Sequence, residues 1–509
     1  MSATIQSIIS SGSSGLIVDI ECHLSNNLPN IIIVGFANQA VAESKERIRG
    51  AFSDSRIVLP RKRVTINLAP ADVPKVDSSF DLAIAVSILM ASEQITAQLG
   101  KQEAFIGELG LDGSVRAVRG IIGKLLVGRD HGVTTFYVPV SNLRQAQLVP
   151  GVTIMPVQSL AELFGYLRGS LSIKPIATGD GIFEADTTSH NVSSYFVQLS
   201  SVVGQALAKR ALEIAAAGGH NVFFSGPPGT GKSMLAKALP SIMPPLGREE
   251  MLEVTQLHSL SSHNYDQIIT ERPCRAPHHS ASLAALTGGG SHVRPGEISL
   301  SHRGVLFLDE FPEFGRTKLE ALRQPLEDRT ITIARVNDTI QFPADFILVA
   351  TANPCPCGYR GTDRCSCDDY QIKLYQHKIS GPILDRIDLF SGVGNVEHSQ
   401  LLGHQPDPAN DQQARDRVAA ARAVQAKRYG NPQTLNATMT NADIMRWAHL
   451  TPSARVELNR AARKSNVSAR AYMRIIKVAR TIADLDQSVA ISPAHISEAV
   501  GYRKRPSSG

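Results

Sequence analysis

The stretch Gly226-Pro227-Pro228-Gly229-Thr230-Gly231-Lys232-Ser233 satisfies the pattern G-x-x-x-x-G-K-[ST] at every fixed position. Asn221-Val222-Phe223-Phe224-Ser225 before it reads as a short buried strand, and Met234 to Leu239 after it as the first turns of a helix. Phosphate binding needs this order of strand, glycine loop and helix. The glycines let consecutive N–H groups turn toward phosphate oxygens, Lys232 reaches the β- and γ-phosphates, and Ser233 offers a hydroxyl to Mg²⁺. The chain is therefore expected to bind a nucleoside triphosphate, ATP, together with Mg²⁺.

With 509 residues the chain is long enough for about two to four domains, each with its own core. Hydrophobic content of 43% and charged content of 19% suit a soluble globular protein. The start Met1-Ser2-Ala3-Thr4-Ile5 lacks the basic and apolar runs of a secretory signal, and no stretch is apolar enough to span a bilayer. A cytoplasmic protein with no membrane partner is expected. A net charge of +6 permits a polyanionic partner without requiring one.

Residues 1–170 alternate β-branched runs with helical stretches. Strands are expected at Asn30 to Gly35, Arg63 to Leu68 and Thr135 to Val138, and helices from Val41 to Phe52 and Phe80 to Met90. The segment Ala71 to Leu82, with Phe105-Ile106-Gly107-Glu108-Leu109 downstream, resembles the proteolytic domain of Lon-type proteases and the related ribosomal-S5-like fold. Ser79 falls on that family's nucleophile, which needs a lysine as its base. Ile122 stands at the lysine position, and Lys124 is two residues out of phase, a displacement expected to turn it away from the serine. An inactive protease-like domain follows. The run Arg61-Lys62-Arg63 reads as a solvated face.

Residues 171–197 turn polar and aperiodic and read as a linker; a second domain spans 198–400. Its opening, with Gly204 and Gln205, is similar to the turn beside adenine in AAA+ proteins. Gly304-Val305-Leu306-Phe307-Leu308-Asp309-Glu310 is an apolar strand ending in two carboxylates, which a parallel sheet brings to the edge where the phosphate loop opens. Asp309 is expected to hold Mg²⁺ and Glu310 to orient the attacking water. The strand Phe346 to Ala352 ends at Asn353, which matches the sensor-1 position. Pro382 to Phe390 is similar to the element carrying an arginine finger, here Arg386, whose permanent planar charge suits a transferring phosphoryl group. The competing reading pairs Arg386 with Asp388.

Two insertions stand out. One holds Arg272 to Ser280, with Arg275, His278 and His279, followed by a glycine-rich run leading to Arg294. The other, Thr330 to Phe342, alternates on both sides of Asn337-Asp338 as a β-hairpin does and carries Arg335. Their basic residues suit a polyanion. Cys355, Cys357, Cys365 and Cys367 fall within thirteen residues, and four thiolates so spaced suit a structural Zn²⁺ site, against reduced surface cysteines or a redox switch. Residues 401–509 read as a helical lid, in which Ser468-Ala469-Arg470-Ala471 matches the sensor-2 pattern and directs Arg470 to the γ-phosphate.

The order of these parts, a Lon-protease-like α/β domain, an AAA+ P-loop α/β motor with a cysteine loop, and a C-terminal helical lid, resembles the magnesium-chelatase-like AAA+ ATPases of the ComM (YifB) group over nearly the whole chain. The resemblance implies a homo-hexameric ATP-driven DNA motor that promotes branch migration in recombination during natural transformation. Its implied partners are single-stranded, branched and recombinase-coated DNA, and its implied DNA contacts are Arg275, His278, His279, Arg294 and Arg335. The rival readings are the ATPase subunit of a metal chelatase, a protein remodeller or Lon-like protease, and an ATP-binding scaffold.

Overall fold

A computed structural model describes residues 2–11, 14–35, 43–71, 75, 78–95, 97, 99–179, 197–261, 267–290, 293–334, 339–361, 363–397, 405–464 and 467–503. Arg335, the expected turn at Asn337-Asp338 and most of the linker lie outside these residues. The chain divides into two compact units, Met1–His190 with Gly247–Ile269, and Asn191–Leu246 with Thr270–Gly509.

The first unit is built on an eight-stranded mixed sheet. Its strand order is Ile176–Ala177, Thr153–Val157, Thr135–Pro139, Glu103–Phe105, Ser2–Ser11, Ser14–Ser25, Arg63–Ala69, Asn30–Val34. The central hairpin of Ser2–Ser11 and Ser14–Ser25 pairs Ile5 with Ile20 and Ile8 with Ile17, which gives the sheet its apolar spine. Sequence reading missed this hairpin because serines at its rims dilute the alternation. The helix Asp81–Ala91 is buried along almost its whole length, as expected of an all-apolar helix lying between a sheet and other helices. The helix Arg248–Ser261 falls inside the segment assigned to the motor, yet it belongs to this unit: Leu252 and Ile268 pack on the core formed by Ile121, Ile122 and Leu125.

The second unit carries a five-stranded parallel sheet in the order Cys274–Arg275, Val305–Leu308, Ile347–Ala352, Val222–Ser225, Leu389–Gly392. The second and third strands of this order, Val305–Leu308 and Ile347–Ala352, are buried throughout, as strands covered on both faces must be. Ser225 lies opposite Ala352, and Leu308 opposite Ala350, so the residues that follow these strands emerge side by side. The helices Pro408–Tyr429, Asn441–Trp447, Pro452–Lys464, Ala469–Leu485 and Pro493–Gly501 share one apolar core with this sheet. Thr440, Ser468 and Ser492 cap three of them, and Gly430, at φ +68°, ends the longest.

A buried polar network ties those helices to the sheet. Asp388 accepts the Asn221 N–H at 3.1 Å, pairs with Arg474 and faces His220 Nδ1 at 3.5 Å, while His220 Nε2 meets Thr481 Oγ1 at 2.8 Å. Burial acts to raise the Asp388 pKa, but Arg474, His220 and the Asn221 amide outweigh it and hold the carboxyl well below the usual range. A depressed folded-state pKa contributes stability above the unfolded value and loses it as pH falls. Asp388→Asn leaves the half-buried Arg474 without its counter-charge. The full chain is expected to lose about 3–5 kcal/mol at pH 7 in urea unfolding. The deficit relative to the parent should shrink below about pH 4, where the unfolded carboxyl protonates.

Candidate nucleotide site and its surroundings

The phosphate loop runs from the end of Val222–Ser225 into the helix Lys232–Ile242. Gly226 passes so close to the sheet that a Cβ would overlap the Val393 carbonyl, and Gly229 and Gly231 take φ of +78° and +86°. The Lys232 ammonium donates to the carbonyls of Gly226 and Pro227 at 2.7 Å each and to Asn353 Oδ1 at 3.2 Å. Burial lowers its pKa, and Asp309 and Glu310 act against that shift. Thr230 Oγ1 donates to the Pro227 carbonyl at 2.9 Å and closes the turn around Pro228.

Asp309 and Glu310 emerge beside this loop. Ser233 Oγ donates to Asp309 Oδ2 at 2.9 Å, and Thr351 Oγ1 hydrogen-bonds the other Asp309 oxygen. The Glu310 N–H donates to Thr351 Oγ1 at 3.2 Å, with φ at +50° aiming the side chain outward. Ser233 and Asp309 thus present two adjacent oxygens of the kind a hard divalent cation selects. Gln205 also has a positive φ, follows Gly204 at +63°, and donates to the Gly394 carbonyl at 2.6 Å, anchoring the expected adenine turn just beyond the strand Leu389–Gly392. Thr351 was not foreseen; its only signal is its place two residues before Asn353, on the strand beside Val305–Leu308.

The arginines form a separate cluster. Arg386, with its side chain 7% exposed, pairs with Glu327, and Arg470 donates to the other oxygen of the same carboxylate at 3.0 Å. Arg386 does not pair with Asp388, which is taken by Arg474. Its Nε is buried without a hydrogen-bond partner among the described residues. Burial, then the positive neighbours Arg470, Arg323 and Arg474, lower its pKa. Arg470, expected at the γ-phosphate, here carries its ion pair to Glu327 instead. Glu327 has no motif of its own, and nothing in the sequence separates it from other helix-end acids.

In the first insertion, Arg275 makes a two-pronged contact with Glu297 at 2.6 and 2.7 Å. His278 is exposed, and its ring lies 4.0 Å from that of His279. His279 Nδ1 lies 3.6 Å from Glu310 Oε2. Arg294, on the short hairpin of Gly288–Gly289 and Arg294–Pro295, is exposed and has no ion pair among the described residues. Ile333 of the second insertion packs near Gly288, which brings the two insertions together. Several basic residues of the C-terminal helices serve the core: Arg480 is buried against Asp484 and Arg474 against Asp388, leaving Arg455, Arg463 and Lys464 on the surface.

The four cysteine sulfurs lie within 4.8 Å of one another, with Cys355, Cys357 and Cys365 separated by 3.3, 3.7 and 3.9 Å. Four sulfurs bound to Zn²⁺ at ~2.3 Å sit about 3.8 Å apart, so the cluster fits a closed tetrahedral site. The amides of Tyr359 and Ser366 pull the Cys357 thiol down to about 6, while, against the pull of the Cys357 amide, desolvation and the neighbouring Cys357 and Cys355 sulfurs push Cys367 up to about 11. Gly358, at φ +86°, sits against Pro228, so the cysteine loop abuts the phosphate loop.

One expectation in the first unit is corrected. Lys124 does reach Ser79: its Nζ donates to the serine Oγ at 3.1 Å and to the Ile8 carbonyl at 3.2 Å. Helical phase fixes the direction of Cβ, and the four-carbon stem makes up the difference. Both side chains are sealed from solvent, at 0% and 1% exposure.

The model for magnesium chelatase, subunit ChlI, matches residues 198–401; models for subunit ChlI of Mg-chelatase and for the ChlI C-terminal part match 20–142 and 409–503. The chain is 41% identical to the competence protein ComM of Haemophilus influenzae over 98% of its own length and 97% of that protein's. It is 39% identical to YifB of Escherichia coli over 96% and 94%. The magnesium-chelatase 67 kDa subunit of Heliobacterium mobile is 25% identical over only 44% of this chain and 38% of its own. Among the described residues no helix is long and apolar enough to cross a membrane. Phosphate loop, carboxylate-tipped strand, cysteine loop and helical C-terminus all fall within a likeness that runs end to end, and the chain belongs to the ComM/YifB group of magnesium-chelatase-like AAA+ ATPases.

Proposed function

We propose that the chain is one subunit of a homo-hexameric, ATP-driven DNA motor that moves branched DNA during recombination in natural transformation. The observation that carries this reading is the separation of two clusters. Lys232, Asp309, Glu310 and Asn353 gather at the phosphate loop, whereas Arg386 and Arg470 share Glu327. A site that needs a positive charge opposite the transferring phosphoryl group is then completed by a neighbouring subunit, once Arg386 leaves Glu327. The near-full-length identity to a competence protein supports the biological setting.

In this reading Lys232 and the loop amides bind the triphosphate, Glu310 holds the attacking water, and Asn353 links the phosphate loop to the sheet. Ser233 and Asp309 would hold Mg²⁺, which supplies charge neutralisation at the phosphates. Arg294 is the exposed cation of the first insertion and the best candidate there for gripping the DNA backbone, with His278 beside it and Arg335 assigned by sequence alone. Arg275 acts by fixing the insertion through Glu297. We infer that the Ser79–Lys124 pair is structural, because a nucleophile sealed beneath the sheet has no path to a peptide.

Single-stranded and forked DNA are expected to raise the ATPase rate of the purified protein several-fold. Glu310→Gln is expected to lower hydrolysis by ~10²-fold or more while ATP binding persists. A rate indifferent to DNA would count against the motor.

Cys355, Cys357, Cys365 and Cys367 would hold a structural Zn²⁺ ion that stiffens the loop against Pro228. Metal analysis of the protein purified without added zinc is expected to give about one Zn²⁺ per chain, falling to near zero in Cys355→Ser/Cys365→Ser. The same variant should melt at lower temperature; zinc-free protein of unchanged stability would remove the ion from this account.

A further inference from the structure

The C-terminal helices carry a positive face that neither the nucleotide site nor the core employs. The helix Pro452–Lys464 turns Ala454 and Leu458 into the core and leaves Arg455, Val456, Asn459, Arg460, Arg463 and Lys464 exposed on its other side. Arg455, Asn459 and Arg463 follow one another at four-residue steps, so the two arginines mark an edge about 12 Å long, with Lys464 beside the second. The helix has a single acid, Glu457, and Arg460 pairs with it at 2.7 Å. Arg455, Arg463 and Lys464 have no ion pair among the described residues. Cations in a last helical turn complement the helix dipole, which accounts for Arg463 and Lys464. Arg455 lies close to the opposite end, where the dipole disfavours a cation, and the helix itself gives no reason for it.

Four residues separate this helix from Trp447, the sole tryptophan of the chain. Trp447 is half-buried at the end of the helix Asn441–Trp447; the Arg446 guanidinium lies 4.6 Å from the centre of its ring, and His449 stands edge-on to it at 6.5 Å. Met445, just before them, is 86% exposed. An arginine stacked on an indole offers a flat surface of the kind on which nucleobases stack. The link between platform and charged helix is fixed: the Thr451 N–H donates to the Ile491 carbonyl at 3.1 Å, and the Ile491 N–H to the His449 carbonyl at 3.0 Å.

Spaced cations suit phosphates, and a stacking platform suits bases that are not already paired. A duplex keeps its bases stacked on one another, and an acidic protein surface has no use for the platform. We propose that Trp447 and the outer face of Pro452–Lys464 form a contact for a single nucleic-acid strand, outside the two insertions. Arg455, Arg463 and Lys464 hold phosphates, and the Arg446–Trp447 stack receives a base. That the strand is DNA rests on the function proposed above.

The test uses the full-length protein, a non-hydrolysable ATP analogue and a short oligothymidylate. Anisotropy of a labelled oligonucleotide reports total binding, and the single indole reports on the platform through its own emission. Unlabelled oligothymidylate is expected to quench that emission by at least about a third, saturating where the anisotropy saturates. Arg455→Ala/Arg463→Ala/Lys464→Ala is expected to bind ~10-fold more weakly and to lower the slope of log Kd against log salt by about 2, the share of three single-strand phosphates. Its melting temperature and its ATPase rate without DNA should match the parent's, since the three side chains touch neither the core nor the nucleotide site. An oligonucleotide that binds by anisotropy yet leaves the emission unchanged, or a triple variant that keeps the parent's slope, would overturn the proposal and leave the motor reading standing. No change in anisotropy with any single-stranded or forked DNA would refute the motor reading itself, and this contact with it.

Discussion

Asp309 has to stand between Ser233 and Thr351, and much of the second unit serves that requirement. The carboxylate stands exposed at the tip of a buried strand, and the Ser233 and Thr351 hydroxyls hold one oxygen each. The register of three parallel strands brings those hydroxyls there: Ser225 opposite Ala352 sets the phosphate loop beside Asn353, and Leu308 opposite Ala350 sets Asp309 beside Thr351. The core of alanines, valines and leucines beneath, shared with the C-terminal helices, keeps that register from slipping.

The same economy governs the positive charges. Arginine is plentiful in this chain, and most of the residues that looked free in sequence are employed inside it. Arg480 and Arg474 neutralise buried aspartates, Arg275 braces Glu297, and Arg386 and Arg470 meet on Glu327. Buried carboxylates without these partners would be strongly destabilising. Among the described residues of the insertions, Arg294 stays exposed without an ion pair. The Glu327 pairings hold Arg386 and Arg470 within the chain.

The phosphate loop, the Asp309-Glu310 strand, Asn353 and the C-terminal helices were legible because each couples a local pattern to a fixed chemical need. Strand length, glycine placement and capping serines are all local. Three features were not legible because they depend on distant pairing. The Ser2–Ser25 hairpin has serine-rich rims that mask its alternation, and it becomes a strand pair by its place at the centre of a sheet. The helix Arg248–Ser261 has an ordinary amphipathic pattern that says nothing about which core receives it. Lys124 was misjudged because helical phase was applied to a side chain long enough to cross it. The pairing of Glu327 likewise comes from a partner 59 residues away, on Arg386, which no short window contains.

The central claim is that hydrolysis at this site moves DNA, and a three-stranded junction assay measures that directly. Purified protein is expected to drive the junction through to full strand exchange with ATP and to leave it in place with a non-hydrolysable analogue, while Glu310→Gln binds the junction without moving it. Sustained ATP hydrolysis in the presence of a junction that never migrates would contradict the account.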